Sequence, residues 1–282
     1  MSILLEPIVT VFEYVLILAG AGFIAWLFLH PAGRAARARP AGLPVWEVSI
    51  SDFLLLAWLV VALGFSAQLL LRLIVGASLR RLPEAETAQL IVYGSMFHIG
   101  AIFTWIFARW YLPRRRTLEG LPAAVPSRRS PGRIRRDALL TFLASIPLLT
   151  LADLGWEPLL KAVGLPTDHQ ELVDLFVQVQ SPVLLAVMII FALTVAPISE
   201  ELIFRAGLFR FLRTRAPRWV AFAASAGLFA LLHGNWASFL PLCVLGVVLA
   251  VAYERTGSLA VPIPAHALFN LNSLVLVLGG AT

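Results

Sequence analysis

The sequence contains few charged residues for its length. Asp, Glu, Lys and Arg make up 13% of the 282 residues, whereas a soluble domain keeps about a quarter of its residues charged. Hydrophobic residues make up 60% of the chain, and they form blocks of about 17–25 residues, the length that spans a bilayer. These proportions exclude an ordinary soluble domain and predict an integral membrane protein.

Other features are scarce or missing as well. The single cysteine, Cys243, cannot form an internal disulfide. The alternating pattern of an outer-membrane barrel is absent, so the apolar blocks are predicted to be helices, which satisfy their own backbone polar groups in hydrocarbon. No internal repeat is found, which disfavours an inverted-repeat transporter. Glu6 stands where a cleavable signal would have basic residues, so we expect no such signal.

The fold class that follows is all-α, a polytopic transmembrane bundle of about eight spans. The net charge of +6 could indicate nucleic acid, but the arginines lie in loops beside the spans, where basic residues interact with anionic lipid. Membrane lipids are therefore expected partners and nucleic acid is not. The predicted spans are 8–30, 53–75, 90–112, 138–160, 182–213, 218–234, 236–254 and 258–280.

Arginines in alternate loops predict the orientation. They follow the first, third, fifth and seventh spans, and the positive-inside rule makes that side cytoplasmic. We therefore expect a multi-pass protein of the plasma or inner membrane with both termini external. The second loop is a mild exception, with Arg80 and Arg81 outside. The arginines on the predicted cytoplasmic side are Arg34, Arg37, Arg39, Arg114, Arg115, Arg116, Arg128, Arg129, Arg133, Arg135, Arg136, Arg210, Arg213, Arg215, Arg218 and Arg255.

The third loop predicts a boundary between two parts of the chain. Its prolines, serines and arginines cannot build a core and are typical of a flexible linker. Three leading transmembrane helices are expected at 1–112, a basic cytoplasmic linker at 113–137 and a core of five helices at 138–282. Within the core, Pro197 removes a backbone donor from its helix, so we expect a broken helix just before Glu200.

Polar residues in the core spans come in pairs at helical spacing. Glu201 and Arg205, and likewise His266 and Asn270, are four residues apart and can meet on one helix face. Adjacent helical residues point about 100° apart, so Glu200 is left free if Arg205 neutralises Glu201. Ionisable groups within spans are expensive and therefore candidates for function. The other polar residues within the spans are interpreted as structural: the single residues Glu13, Arg72, His98 and Arg109 of the leading spans, and Asp153 and Glu157, which lie one turn apart near the outer end of the fourth span.

These groups are predicted to lie at similar depth. Counted from the cytoplasmic ends of their spans at 1.5 Å per residue, Glu200 is ~20 Å deep, His233 ~22 Å, His266 ~12 Å and Asn270 ~18 Å. A carboxylate and an imidazole near one water make a general-base site, and an imidazole with an amide can stabilise an oxyanion. This combination indicates amide hydrolysis by activated water. A catalytic zinc held by Glu200, His233 and His266 stays open as an alternative.

At these residues the chain resembles the CPBP intramembrane proteases, also called the Abi family, which includes the type II CAAX prenyl endopeptidases. The family's EExxxR motif matches Glu200 to Arg205, its FxxxH motif matches Phe229 to His233, and its HxxxN motif matches His266 to Asn270. The resemblance covers about 138–280 and leaves the three leading spans outside.

The resemblance implies a role for each matched residue. Glu200 and His233 would activate the water, and His266 and Asn270 would form the oxyanion hole. Glu201, Arg205 and Phe229 would shape the site. The implied activity is that of an intramembrane endopeptidase acting on a membrane-anchored or lipidated protein or peptide, of the glutamate or the metal-dependent type. No cofactor is firmly implied, although family members are labelled metalloproteases. The alternative function is that of a non-catalytic immunity, binding or scaffold protein with the same fold.

Overall fold

A computed structural model describes residues 2–118, 129–168 and 171–280, and these residues form helices joined by turns. We number ten helices through these parts of the chain, treating Pro182–Arg213 as one. They are α1 (Ser2–Leu29), α2 (Pro31–Ala38), α3 (Ile50–Leu79), α4 (Ala85–Leu118), α5 (Pro131–Val163), α6 (Glu171–Gln178), α7 (Pro182–Arg213), α8 (Arg218–Leu231), α9 (Phe239–Thr256) and α10 (Pro262–Gly279).

The helices confirm the predicted all-α polytopic bundle. In the described parts, seven of them are long and apolar enough to cross a membrane, and α8 is a shorter apolar helix. With 14 residues, α8 is ~21 Å long, less than the ~30 Å of a hydrocarbon core. Helices α2 and α6 are short additions in segments predicted to be loops.

Helix α7 does not break before Glu200, so this expectation is wrong. It continues through Pro197 and contains two π-helical segments, Phe191–Val195 and Glu201–Phe209, with the α-helical turn Ala196–Glu200 between them. A proline lacks the backbone donor and its ring collides with the carbonyl one turn earlier. The wider π turn, in which the N–H of Ala196 donates to the carbonyl of Phe191, accommodates the proline instead.

The basic loops meet at one end of the bundle, as expected for alternate loops. The guanidinium of Arg255, in the last turn of α9, donates to the backbone oxygen of Arg39, after α2, at 2.7 Å. Arg213 and Arg218, around the turn between α7 and α8, pair with the buried Glu254 carboxylate at 2.6 and 2.7 Å. That this end faces the cytoplasm stays a prediction.

The other connections meet at the opposite end. The carboxylate of Glu84, in the turn between α3 and α4, accepts hydrogen bonds from the backbone N–H groups of Gln180 and Ser181 at 2.8 and 2.9 Å. The amide of Asn235, after α8, donates to the backbone oxygen of Asp168 at 3.0 Å. Both contacts tie the start of α7 and the end of α8 to their neighbouring turns.

The leading helices pack around the core rather than beside it. Helix α1 packs against α5 and α10, whereas α3 packs against α4, and α4 packs against α7. Helix α4 continues to Leu118 and α5 begins at Pro131, capped by Ser130. Helices therefore occupy both ends of the predicted linker 113–137. Its central part, 119–128, with Arg128, lies outside the described residues, and the division into two units stays a prediction.

Close packing of α8 against α9 sets the core beneath the candidate site. A Cβ added at Gly246 would lie 2.8 Å from the Cβ of Ala226, so a side chain there would push the two helices apart. Small residues allow such close approach of transmembrane helices. Buried apolar side chains of α5, α7, α8, α9 and α10 form one core cluster, which includes Leu149, Phe204, Phe229, Leu245, Leu249 and Ala265.

Candidate active site

A cavity of about 1400 Å³ lies inside the bundle. Its wall is mostly apolar and includes residues from α3, α4, α5, α7, α8 and α10. Polar and charged side chains form the smaller part of the wall, as is usual in ligand sites. The residues of the predicted site that line it are Glu200, His233, Asn270 and Phe229.

The adjacent carboxylates of Glu200 and Glu201 have different surroundings. The side chain of Glu200 lines the cavity and is 16% exposed, whereas that of Glu201 is fully buried. This difference follows from the ~100° between neighbouring side chains on a helix. Glu200 is thus the carboxylate that a water molecule or a substrate in the cavity can reach.

Glu201 is held in a buried ion pair behind the cavity. Its Oε1 lies 2.9 Å from Nη1 of Arg205 and 3.0 Å from Nδ1 of His266. Arg205 also donates from Nη2 to the backbone oxygen of Gly246 on α9 at 3.3 Å. These contacts join three helices, but among the described residues Oε2 of Glu201 and Nε of Arg205 have no hydrogen-bond partner, so part of the desolvation cost of the pair is not offset.

The ion pair also fixes the protonation pattern of His266. Because Oε1 of Glu201 is already paired with a guanidinium, it accepts from Nδ1 of His266, which must carry a hydrogen. The other nitrogen, Nε2, lies 3.6 Å from Oε2 of Glu200, beyond the range of a direct hydrogen bond. To donate to an oxyanion from Nε2 as well, the ring must carry a hydrogen on both nitrogens, as an imidazolium does.

Phe229 separates the two histidines of the predicted site. Its fully buried ring lies 4.8 Å from the ring of His233, 5.9 Å from that of His266 and 4.6 Å from the guanidinium of Arg205. The backbone oxygen of Phe229 accepts a hydrogen bond from Nδ1 of His233 at 2.8 Å. In the neutral ring, Nε2 of His233 is then the basic nitrogen.

Asn270 contacts the first π segment of α7. Its Nδ2 donates to the backbone oxygen of Ala192 at 2.8 Å. In a π-helical pattern that oxygen would pair with the N–H of residue 197, which is a proline and has none. Asn270 thus satisfies a carbonyl that Pro197 leaves unpaired, and its Nδ2 retains a second hydrogen. The sequence spacing did not indicate this contact.

His98 on α4 also lines the cavity, although its position as a single polar residue in a leading span indicates a structural role. Its Nδ1 lies 2.5 Å from Oγ of the buried Ser199, the residue before Glu200. His98 interacts electrostatically with Glu200 and His233. No polar residue lies four positions before or after His98 in the sequence, so the four-residue pairing pattern could not identify it.

The alternative zinc site would need Glu200, His233 and His266 to converge on one metal ion. Within 2–118, 129–168 and 171–280, no group of three or more His, Cys, Asp or Glu side chains is placed to share one metal ion. Glu200, His233 and His266 therefore do not fit a zinc site in this conformation, and we derive no step through a metal.

The fold and the site define a multi-pass helical membrane protein with carboxylate and imidazole groups around an interior cavity. Residues 182–272 match the family described as "Type II CAAX prenyl endopeptidase Rce1-like". This match confirms the resemblance to the CPBP proteases. It runs from the start of α7 into α10 and contains all three motifs, but it leaves α1 to α6 outside. No curated protein and no solved structure matches the chain.

Proposed function

We propose that the protein is an intramembrane endopeptidase that hydrolyses a peptide bond of a membrane-anchored or lipidated protein. The observation that carries the proposal is that Glu200, on α7, and His233, just after the end of α8, line one cavity inside a membrane-spanning bundle. Both groups can act on a water molecule there. The match to the CAAX protease family supports the same activity.

In the proposed reaction, the carboxylate of Glu200 accepts a proton from a water molecule whose other hydrogen is directed to Nε2 of His233. The oxygen of that water forms a bond to the carbonyl carbon of the substrate and gives a tetrahedral intermediate. The C–N bond then breaks, and the proton held by Glu200 passes to the leaving nitrogen. General-base catalysis of this kind contributes about 10²–10⁴-fold to the rate.

His266 and Asn270 are proposed to stabilise the intermediate. Nε2 of an imidazolium at His266 and the second hydrogen on Nδ2 of Asn270 would donate to the oxyanion. Glu201 and Arg205 would hold His266 in position from behind, and Phe229 would keep the two imidazoles apart. In this proposal, Glu200 and His233 act on the water, and His266 and Asn270 bind the oxyanion.

The cavity also supports a substrate with a large apolar part. Its volume of about 1400 Å³ exceeds the ~300–1,000 Å³ of ordinary small-molecule pockets. An extended peptide with an attached lipid would pack against the mostly apolar wall of the cavity. Its scissile amide would then lie beside the polar groups. A C-terminally prenylated peptide is thus the first substrate to test.

The test uses purified protein in liposomes with peptides that carry, or lack, a C-terminal prenyl group. We expect cleavage by the wild-type protein, and loss of cleavage in Glu200→Gln and in His233→Ala. Glu86→Gln, which alters an exposed carboxylate in the first turn of α4, is the matched control and should cleave normally. Undiminished cleavage by Glu200→Gln would refute the mechanism. Partner binding without cleavage, unaffected by both substitutions, would instead indicate a non-catalytic immunity or scaffold protein.

A further inference from the structure

The helical turn that carries Glu200 is held on both sides by irregular helix. The segment Ala196–Glu200 is only five residues long and lies between the two π-helical segments of α7. A π segment shifts the backbone hydrogen-bond pattern and often occurs at a functional site. The direction of Glu200 therefore depends on contacts that reach this turn from other helices.

Two of these contacts come from α10, inside the part of the chain that matches the protease family. Asn270 donates to the backbone oxygen of Ala192 in the first π segment. His266 contacts Glu201, the first residue of the second π segment. Both contacts lie on the α10 side of α7 and leave the α4 side to a third group.

The third group is His98. The hydroxyl of Ser199 donates to the backbone oxygen of Ala196 at 2.9 Å, so its only hydrogen is used and His98 must donate from Nδ1 to Oγ of Ser199 at 2.5 Å. The ring of His98 also packs edge-on against Phe191, the first residue of the first π segment, with centroids 5.1 Å apart. One side chain thus contacts both the π segment and the turn that follows it.

The histidine–serine pair does not have the properties of a catalytic nucleophile and base. Ser199 is fully buried, so its oxygen cannot reach a substrate in the cavity. Its hydroxyl hydrogen points to the helix backbone, not to the imidazole. The pair is therefore placed to fix the position of α7 relative to α4.

We propose that His98 is a positioning residue for Glu200, acting through its hydrogen bond to Ser199. This inference rests on the proposed function. It assigns to α4, a helix outside the matched segment, a part in building the site, so the five-helix core would be incomplete without the leading helices.

The test compares His98→Ala, His98→Asn and Ser199→Ala in the liposome assay. The amide of asparagine can take the place of Nδ1 and keep the bond to Ser199, whereas alanine cannot. We expect His98→Ala to lower kcat by about 10- to 100-fold, because a displacement of about 1 Å in a catalytic group can have such an effect, with KM unchanged. His98→Asn should recover most of the loss.

A double-mutant cycle checks that the two residues act together. The His98→Ala/Ser199→Ala protein should be no slower than the slower single variant, since both substitutions remove one interaction. Thr104→Val is the matched control, because Thr104 is a buried polar residue of the same helix whose hydroxyl donates to Gly100. A kcat of His98→Ala equal to that of the control, or additive losses in the double variant, would overturn the proposal.

Carbodiimide labelling of Glu200, followed by mass spectrometry, gives a result that does not depend on cleavage. Release of the turn should raise the labelling rate in His98→Ala and in Ser199→Ala, but not in His98→Asn or Thr104→Val. Equal labelling in all variants would contradict the positioning role. Cleavage that survives Glu200→Gln would instead remove the proposed function, so the two failures can be told apart.

Discussion

The buried ion pair behind Glu200 gives the sharpest stability prediction. Glu201 and Arg205 are four residues apart on α7, their charged atoms are 2.9 Å apart, and their side chains are 0% and 1% exposed. Replacing Arg205 with methionine keeps most of the volume and removes the charge, so the Glu201 carboxylate stays buried without its guanidinium. We expect a loss of about 3–5 kcal/mol in the free energy of unfolding, the usual cost of breaking a buried pair.

A second ion pair in the chain provides the control. Glu157 and Lys161 have the same spacing, and their charged atoms are 2.5 Å apart, but their side chains are 58% and 63% exposed. Lys161→Met should cost about 0–1 kcal/mol, as exposed pairs usually do.

Denaturant titration in detergent micelles would measure the stability of these variants. The Glu201→Gln/Arg205→Met protein should be more stable than Arg205→Met, because it contains no unpaired buried carboxylate. If Arg205→Met were no less stable than Lys161→Met, the reasoning from burial would be refuted.

Two further predictions concern the chemistry. Asn270→Ala should lower kcat by about 10²–10³-fold, the usual effect of losing one oxyanion donor. Since Asn270 also satisfies the carbonyl of Ala192, the variant should lose thermal stability as well, and a normal kcat would remove Asn270 from the site. Treatment with a strong chelator should leave cleavage unchanged, with metal analysis of the active protein as the accompanying measurement. Loss of activity that zinc restores would instead require the metal alternative.

The sequence predicts the helical spans and the motif residues because both depend on local patterns. Apolar blocks of spanning length indicate the bundle, and the four-residue spacing of Glu201 and Arg205 indicates their ion pair. The response of α7 to Pro197 could not be derived in this way. Because Pro197 lacks a backbone N–H, the sequence predicts an irregularity in the helix at this point. Whether the helix breaks or widens depends on Asn270, whose side chain bonds to Ala192 from α10, far along the chain. His98 was interpreted as structural for a similar reason, because its contact with Ser199 joins residues 101 positions apart.

The shortness of α8 has a consequence for the supply of water. A helix of ~21 Å is shorter than the ~30 Å hydrocarbon layer, so we expect the turn after α8, from which Asn235 contacts Asp168 at the opposite end of the bundle, to lie below the ends of the longer helices. Backbone polar groups at that depth need hydrogen-bond partners. The side-chain oxygen of Asn235 accepts from the N–H of Ser238. The indole of Trp156 donates to the carbonyl of Trp236. Since His233 lies at this turn, the distance that a water molecule must travel through the lipid layer to the imidazole is reduced.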